Sequence, residues 1–550
     1  MPVHAESIRH GGHFVLYTAS DPKTFNDIVA TETSSSEVTS LLFEGLTTID
    51  PITLKVLPNL AASWETSPDG LRWTFHLRHD VHWSDGVPMT ADDVVFTFND
   101  LIFNDKIPSS SRDVFTVDGK IFNVEKVDDF TVTFTLPVKF APFLRGLSQS
   151  ILPKHCLAQA VKDNKFVFTW GIDTPPAAII GTGPFKLVEY KPGERLTFVR
   201  NPYYWKKSIQ GDALPYLDKI TMLIIASPEG ELLKFIDGGI DYLAVSGTDY
   251  PMLKPLEQQK NFTIYEAGAD FGSNFLVFNQ NTSLNTKTGK PYVDPIKSKW
   301  FCDVNFRRAI AHAIDKAKMI SIMMNGFGYP QHGPESPSSG YFYNPQVTVY
   351  DYDLAKAKAL LAASGYEDRN GDGIIEDSDG HPIEFNLMTP ANTSERVQMA
   401  GIISADLKQL GIKVNLVTLE FNVLVSKLMS GYDWDAVILG LTGGVEPHFG
   451  KNVWHSTGGL HLWFPRQVKP ATDWEKRIDT IFDTAVQELD ESKRKVLYDE
   501  YQQIASDQLP VIYTILGAKM YALRNRFGNI KPSGYAGVLH NLEEIYVKDQ

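Results

Sequence analysis

"IEFNLMTPANTSERVQMAGIISADLKQLGIKVNLVTLE", residues 383–420, decides the fold. Residues 383–390 read as a strand, 394–411 as a helix and 412–420 as a second strand. Strands that alternate with helices imply a parallel sheet with crossovers. The pattern continues outward. "FNVLVSKLMSG" (421–431) reads as another helix and leads to the strand "DWDAVILG" (433–440). Upstream, "DVNFRRAIAHAIDKAKMISIMM" (303–324) reads as one long helix. "DYDLAKAKALLAASG" (351–365) reads as another, with Gly365 placed to cap its end. Two helices of mixed charge follow near 471–489 and 491–507.

Between that capped helix and the strand at 383 lies "DRNGDGIIEDSDG" (368–380). Its spacing nearly matches the calcium loop D-x-[DN]-x-[DN]-G-x5-E. Asp368, Asn370, Asp372, the carbonyl of Ile374, Glu376 and Asp379 could encircle Ca²⁺, a hard ion that takes oxygen ligands. Asp379 at the twelfth position is shorter than the usual Glu, and a strand follows the loop where an EF-hand would have a helix. An Asx/Gly turn without metal explains the same residues. No cofactor is required by this reading, and an ion would brace a loop.

The first third is strand-rich. "LRWTFHLR" (71–78) and "DDFTVTFTL" (128–136) alternate apolar and polar side chains, as half-buried strands do. Thr90 caps the helix "ADDVVFTFNDLIF", with Asp92 and Asp93 in its first turn, where the helix dipole favours acids.

Composition narrows the function. The 550 residues carry a net charge of −14 and no Lys/Arg run, which argues against nucleic-acid binding. No run of about 18 apolar residues exists to span a membrane. Val3-His4-Ala5 fits a signal-peptidase site, so the chain reads as exported, with its leader absent. Cys156 and Cys302 are too few for a disulfide framework and are expected as two buried thiols. A search for catalysis finds no H-E-x-x-H, Walker loop, G-x-S-x-G or G-x-G-x-x-G. "SKRK" (492–495) fits S-x-x-K but reads as a solvated helix face. His79 and His82 lack a helix to align them, and the 14 histidines form no cluster with ligand spacing.

Six blocks in order then carry a resemblance. They are "LLFEGLTTID" with 57–100, "ILPKH" (151–155), "GTGPFKLVEYKPGERLTFVRNPYYW" (181–205), "VNFRRAIAHAIDK" (304–316), "LLAASGY" (360–366) and "LPVIYTI" (509–515). Together they resemble the family 5 extracellular solute-binding proteins of ABC importers, which include oligopeptide- and dipeptide-binding proteins. The resemblance implies an α/β, two-lobed periplasmic-binding-protein fold. Lobe one would comprise residues 1–50, 182–268 and 510–550, with an extra subdomain, 51–181, inserted. Lobe two would span 269–509, with a hinge at the crossings near 268 and 510. Ligand would lie in the cleft, and a closed, monomeric form would deliver it to a membrane permease from the periplasmic or extracytoplasmic side. The expected ligand is an oligopeptide or similar polar oligomer. An oligosaccharide or metal chelate on the same scaffold is the alternative, and a hydrolase a more remote one.

The family's amine anchor is missing. Peptide binders often carry G-W-x-x-D-x-x-[DE]-P, whose aspartate pairs with the peptide α-amine. Here "GLTGGVEP" (440–447) has Leu441 for the tryptophan and Gly444 for the aspartate, while Glu446 and Pro447 are retained. A buried ammonium without a counter-charge is costly. Either another group binds the amine or the ligand has none. The resemblance implies ligand contacts from Thr442, Gly443, Gly444 and Glu446, from Phe271 and Asn274, from His461 and Trp463, and from Ser34 and Ser35. Gly443 and Gly444 would bring bare backbone to the ligand, and Trp463 would offer a stacking face.

Overall fold

A computed structural model describes residues 10–117, 119–285 and 288–548. The Val3-His4-Ala5 site lies outside them. The chain divides into two compact units. One comprises Met1–Val245, Met252–Ala267 and Met520–Gln550, and the other Ser246–Pro251 and Gly268–Lys519. The return was expected near 510; the division falls instead at 519/520, inside the continuous strand Ile515–Arg524.

The second unit is built on the stretch that opened the sequence. Its five-stranded sheet runs Lys413–Leu419, Glu384–Pro390, Ala436–Leu441, Ser273–Phe278, Val511–Tyr513. Glu384–Pro390 pairs parallel with both of its neighbours, as the strand-helix-strand pattern requires. Ser273–Phe278 is antiparallel to Ala436–Leu441 and to Val511–Tyr513, so the sheet is mixed rather than wholly parallel. That strand follows directly on Phe262–Ala269, with no crossover helix to fix its direction.

Successive side chains of a strand face opposite sides, and the core follows that rule. Leu276 and Phe278 pack with Phe306, Ile310 and Phe385 on one side. Phe275 and Val277 pack with Val437, Phe482 and Tyr501 on the other. Each fully buried side chain of this size contributes about 1.5–3 kcal/mol of transfer free energy.

The expected long helix at 303–324 is two helices, Val304–Ala313 and Lys316–Met324. Ile314 is extended at ψ 113°, and the Asp315 carboxylate accepts a hydrogen bond from the Lys318 amide at 2.9 Å, a new N-cap. The expected cap at Gly365 is present, with φ +83°.

In the first unit, His13–Thr18, Lys219–Ile224, Arg195–Arg200 and Phe185–Lys191 form one sheet. A second, antiparallel sheet contains the expected strands as Arg72–Leu77 and Thr131–Thr135. Its core is ring on ring: Phe98 lies 4.9 Å from Phe134 and 5.0 Å from Phe115, edge to face. Thr90 and Asp93 form a capping box, the Thr90 amide donating to the Asp93 carboxylate at 3.0 Å. Both cysteines are free, but neither is buried. Cys156 is half-buried and Cys302 exposed, on the rim of a helix end. Among the described residues no helix is long and apolar enough to cross a membrane.

Candidate functional site: two adjoining cavities in the second unit

Two cavities of the second unit share Phe271, Ser273, Leu441, Thr442 and Gly443. The larger, about 850 Å³, is lined by residues 270–274, 440–443 and 516–519, with 246–248, Met323, Met324, Phe327 and the start of the helix at Ser394. Asn274 is its fixed point. Its carbonyl accepts from the Thr514 amide at 3.0 Å and hydroxyl at 2.7 Å, and its Oδ1 accepts from Arg396 Nε at 3.1 Å. Lys519 Nζ lies 3.0 Å from Asp270. Burial lowers the pKa of Arg396 and raises that of Glu395 beside it.

The smaller cavity, about 350 Å³, is different in kind. Trp454, Tyr501 and Tyr513 supply buried rings, and among the described residues that line it Glu335 and Glu446 are the only carboxyls and none is Lys, Arg or His. Serines pin the segment that carries Glu335. Ser336 donates to the Asp270 carbonyl at 2.7 Å, Ser338 to the Ala269 carbonyl at 2.6 Å, and Ser339 to the Gly444 carbonyl at 3.2 Å. Glu446 is 2% exposed, with Arg494 Nη2 at 3.7 Å. Burial, then the Glu446 and Arg494 charges, shift the neighbouring Tyr498 phenol upward on balance. Burial first, then Glu446, pushes the half-buried Glu335 carboxyl up to about 8.

Of the residues expected at the ligand, Phe271, Asn274, Thr442, Gly443, Gly444 and Glu446 therefore line these two cavities. Four others need correction. Trp463 is 1% exposed and donates from Nε1 to Glu475 at 3.2 Å; its ring packs on Trp454 at 5.2 Å, so protein covers the face that was to stack on ligand. His461 is equally buried, its Nδ1 3.1 Å from the Val453 carbonyl. Ser34 and Ser35 belong to the first unit, where local bonds engage their hydroxyls. Ser34 donates to the Asp21 carbonyl at 3.1 Å, and Ser35 accepts from the Lys23 amide at 3.0 Å. The bare face of Gly443 meets protein as well: a Cβ there would stand 1.6 Å from the Phe271 carbonyl oxygen, whereas one on Gly444 would meet nothing within 4 Å.

The "SKRK" helix is also not simply a solvated face. Arg494 is buried against Glu446, while Ser492 donates to the N-cap carboxylate of Asp490 and Lys495 pairs with Asp499. Neither Arg494 nor Glu335 carries a sequence signal, since each depends on a partner more than 40 residues away.

The Asp368 loop brings together three carboxylates, Asp368, Asp372 and Glu376, with one oxygen of each within 4.8 Å of the others. Hard oxygen donors suit Ca²⁺, but the loop's own amides use many of these oxygens. Gly371 donates to Asp368 at 2.7 Å, Ile374 to Asp372 at 2.8 Å and Arg369 to Glu376 at 2.8 Å. Asn370 donates from Nδ2 to Glu376 at 2.6 Å. Asp379 does not join them. It groups with Asp377 and His381 and pairs with Lys299 at 3.0 Å. Two histidines do sit in potential donor clusters that spacing missed: His381 in this one, and His155 in Asp85-His155-Cys156. Burial, then Asp85, pushes the Cys156 thiol up to about 11, which keeps it protonated and a poor ligand.

Ligand-sized cavities against a mixed α/β sheet are what a solute-binding protein presents. The chain belongs to the bacterial extracellular solute-binding proteins, family 5, whose model matches residues 55–459. It has their two-lobed periplasmic-binding-protein fold. A probable ABC transporter-binding protein of Deinococcus radiodurans is 30% identical over 92% of this chain and 87% of its own. Oligopeptide-binding protein AppA of Bacillus subtilis is 29% identical over 91% of this chain and 85% of its own. The structure of AppA in complex with a nonapeptide matches 99% of this chain and 100% of that one, with TM-score 0.71. A periplasmic alpha-galactoside-binding protein of Rhizobium meliloti is 25% identical over 92% of this chain and 77% of its own.

Proposed function

We propose that this substrate-binding protein captures an oligopeptide outside the cytoplasm and passes it, unaltered, to an ABC-importer permease. The observation that carries the reading is the larger cavity. Glycines and small residues at strand ends, Gly272, Ser273, Gly440, Thr442 and Gly517, line it and leave backbone groups within reach of a ligand, and its side-chain charges include the Asp270–Lys519 pair. Main chain recognises main chain, which suits a ligand whose side chains vary. The AppA relative, named for oligopeptides, supports it. An oligosaccharide is the second reading, supported by the alpha-galactoside-binding relative. Thermal-shift screening against peptide and oligosaccharide libraries separates the two, because a specific ligand raises the melting temperature by mass action. Stabilisation by oligosaccharides and by no peptide would overturn the peptide reading.

Export, a monomeric state and a structural Ca²⁺ belong to the same proposal. The ion would be held by Asp368, Asp372 and Glu376 and would brace their loop. Calcium should then raise the melting temperature relative to EDTA, and Asp368→Asn should abolish the difference. An equal melting temperature in calcium and EDTA would remove the ion from the proposal.

A further inference from the structure

We infer that the smaller cavity of the second unit is a subsite for an organic cation of the ligand, an ammonium or guanidinium, with Glu335 as its counter-charge. This rests on the peptide reading and adds the chemical class of one ligand group.

The argument starts from the charges. Two carboxyls face the cavity and no basic side chain does. Glu446 has its own cation behind it, Arg494 at 3.7 Å. For Glu335 neither a hydrogen bond nor an ion pair is seen among the described residues, and its surroundings are the rings of Tyr501 and Tyr513 together with Glu446. Both phenols are pushed up by burial and then by the charge of Glu335, which places that carboxyl close to them. A carboxylate beside a second acid, in a wall of aromatic rings, is poorly solvated and poorly paired. A cation entering the cavity supplies what it lacks. An anion would meet two acids and no donor side chain of positive charge. Continuity with the larger cavity, through Phe271, Ser273, Leu441, Thr442 and Gly443, lets one ligand reach both.

Protonation follows from the same geometry. The charged and titratable groups facing Glu335 are Glu446 with Arg494 behind it, and the phenols of Tyr498, Tyr501 and Tyr513. With its pKa at about 8, Glu335 holds its proton at neutral pH when the cavity has no cation. Binding a cation there expels that proton to solvent. Affinity for the cation should therefore rise about tenfold per pH unit below about 8 and level off above it.

Three libraries of short peptides of equal length test this: N-acetylated with neutral side chains, the same sequences with a free amine, and N-acetylated with one lysine. Wild type at pH 7 should bind at least one cationic library about tenfold or more tighter than the neutral one. Which library it is tells an α-ammonium from a side chain. Glu335→Gln should erase that preference while leaving the neutral library within about twofold. Calorimetry in two buffers of unlike ionisation heat gives an independent readout: close to one proton released per cation bound by wild type, and none by the variant. Equal binding of all three libraries, or a preference that survives Glu335→Gln, would overturn the subsite and leave the peptide reading standing. Binding of no library would overturn both.

Discussion

Trp463 and Glu335 mark the two ways a residue's place escapes a sequence. "HLWF" alternates in a loop whether its ring faces ligand or core, and aromatics are found in both settings. The structure decides for core: Trp463 and His461 clasp Glu475, which also accepts from the Thr472 hydroxyl at 3.0 Å and the Ala471 amide at 2.9 Å. Trp463→Ala should cost about 3–5 kcal/mol by chemical denaturation, while the folded fraction keeps its ligand affinity within about twofold. A selective loss of affinity at unchanged stability would return the ring to the ligand. Glu475 itself, despite burial, is held down to about 2 by those hydrogen bonds, below the ordinary 4.5. The fold therefore binds this proton less readily than the unfolded chain does. The resulting stability, on the order of 3 kcal/mol, is fully present above about 4.5 and is lost as pH falls toward 2. Glu475→Gln should lower stability at pH 6 and flatten its acid slope in urea melts taken from pH 6 to 2. Glu335 is the opposite case. Nothing in "GPESPSS" hints that a carboxyl there will meet Glu446, because only the fold brings the two to one cavity.

Elements were more legible than residues, with failures at their junctions. The strand-helix-strand stretch appears as Glu384–Pro390, Ser394–Lys408 and Lys413–Leu419, because periodicity and length are local properties. The break at Asp315 escaped because an apolar rhythm running through 303–324 concealed an N-cap inside it. The direction of Ser273–Phe278 escaped because antiparallel pairing is a tertiary choice. The turn after Ala436–Leu441 is the instructive middle case. Its two glycines look equivalent in "LTGGVE", yet a Cβ on Gly443 collides with the Phe271 main chain and one on Gly444 faces open space. Gly443→Ala should therefore displace the strand end and depress both melting temperature and ligand affinity, the affinity by tenfold or more. Gly444→Ala should leave the melting temperature within about a degree. Equal effects of the two substitutions in thermal melts and titrations would contradict this account of the turn.

For the molecule as a whole, the question is whether a protein with paired acids in a cavity merely holds its ligand. Two carboxyls in unlike surroundings are what acid-base hydrolysis uses, so Glu335 and Glu446 have to be weighed as a dyad. Glu335, protonated at neutral pH, could donate a proton. Glu446 is poorly placed to serve as its basic partner. It is 2% exposed, Arg494 draws on its charge, and the Tyr498 phenol stands against it. Its carboxylate faces Arg494 and Tyr498 as well as the cavity, so taking a proton from a water there would compete with both. Neither cavity adds a histidine or cysteine among its lining residues. On the receptor reading, binding should stabilise without consuming. At a free ligand concentration one hundred times Kd, the folded state should gain about 2.7 kcal/mol, and the ligand recovered after prolonged incubation should be chemically intact by mass spectrometry. A cleavage product that forms with wild type but not with Glu335→Gln would mean that the cavity performs chemistry, and the protein would then be a hydrolase on a receptor's scaffold.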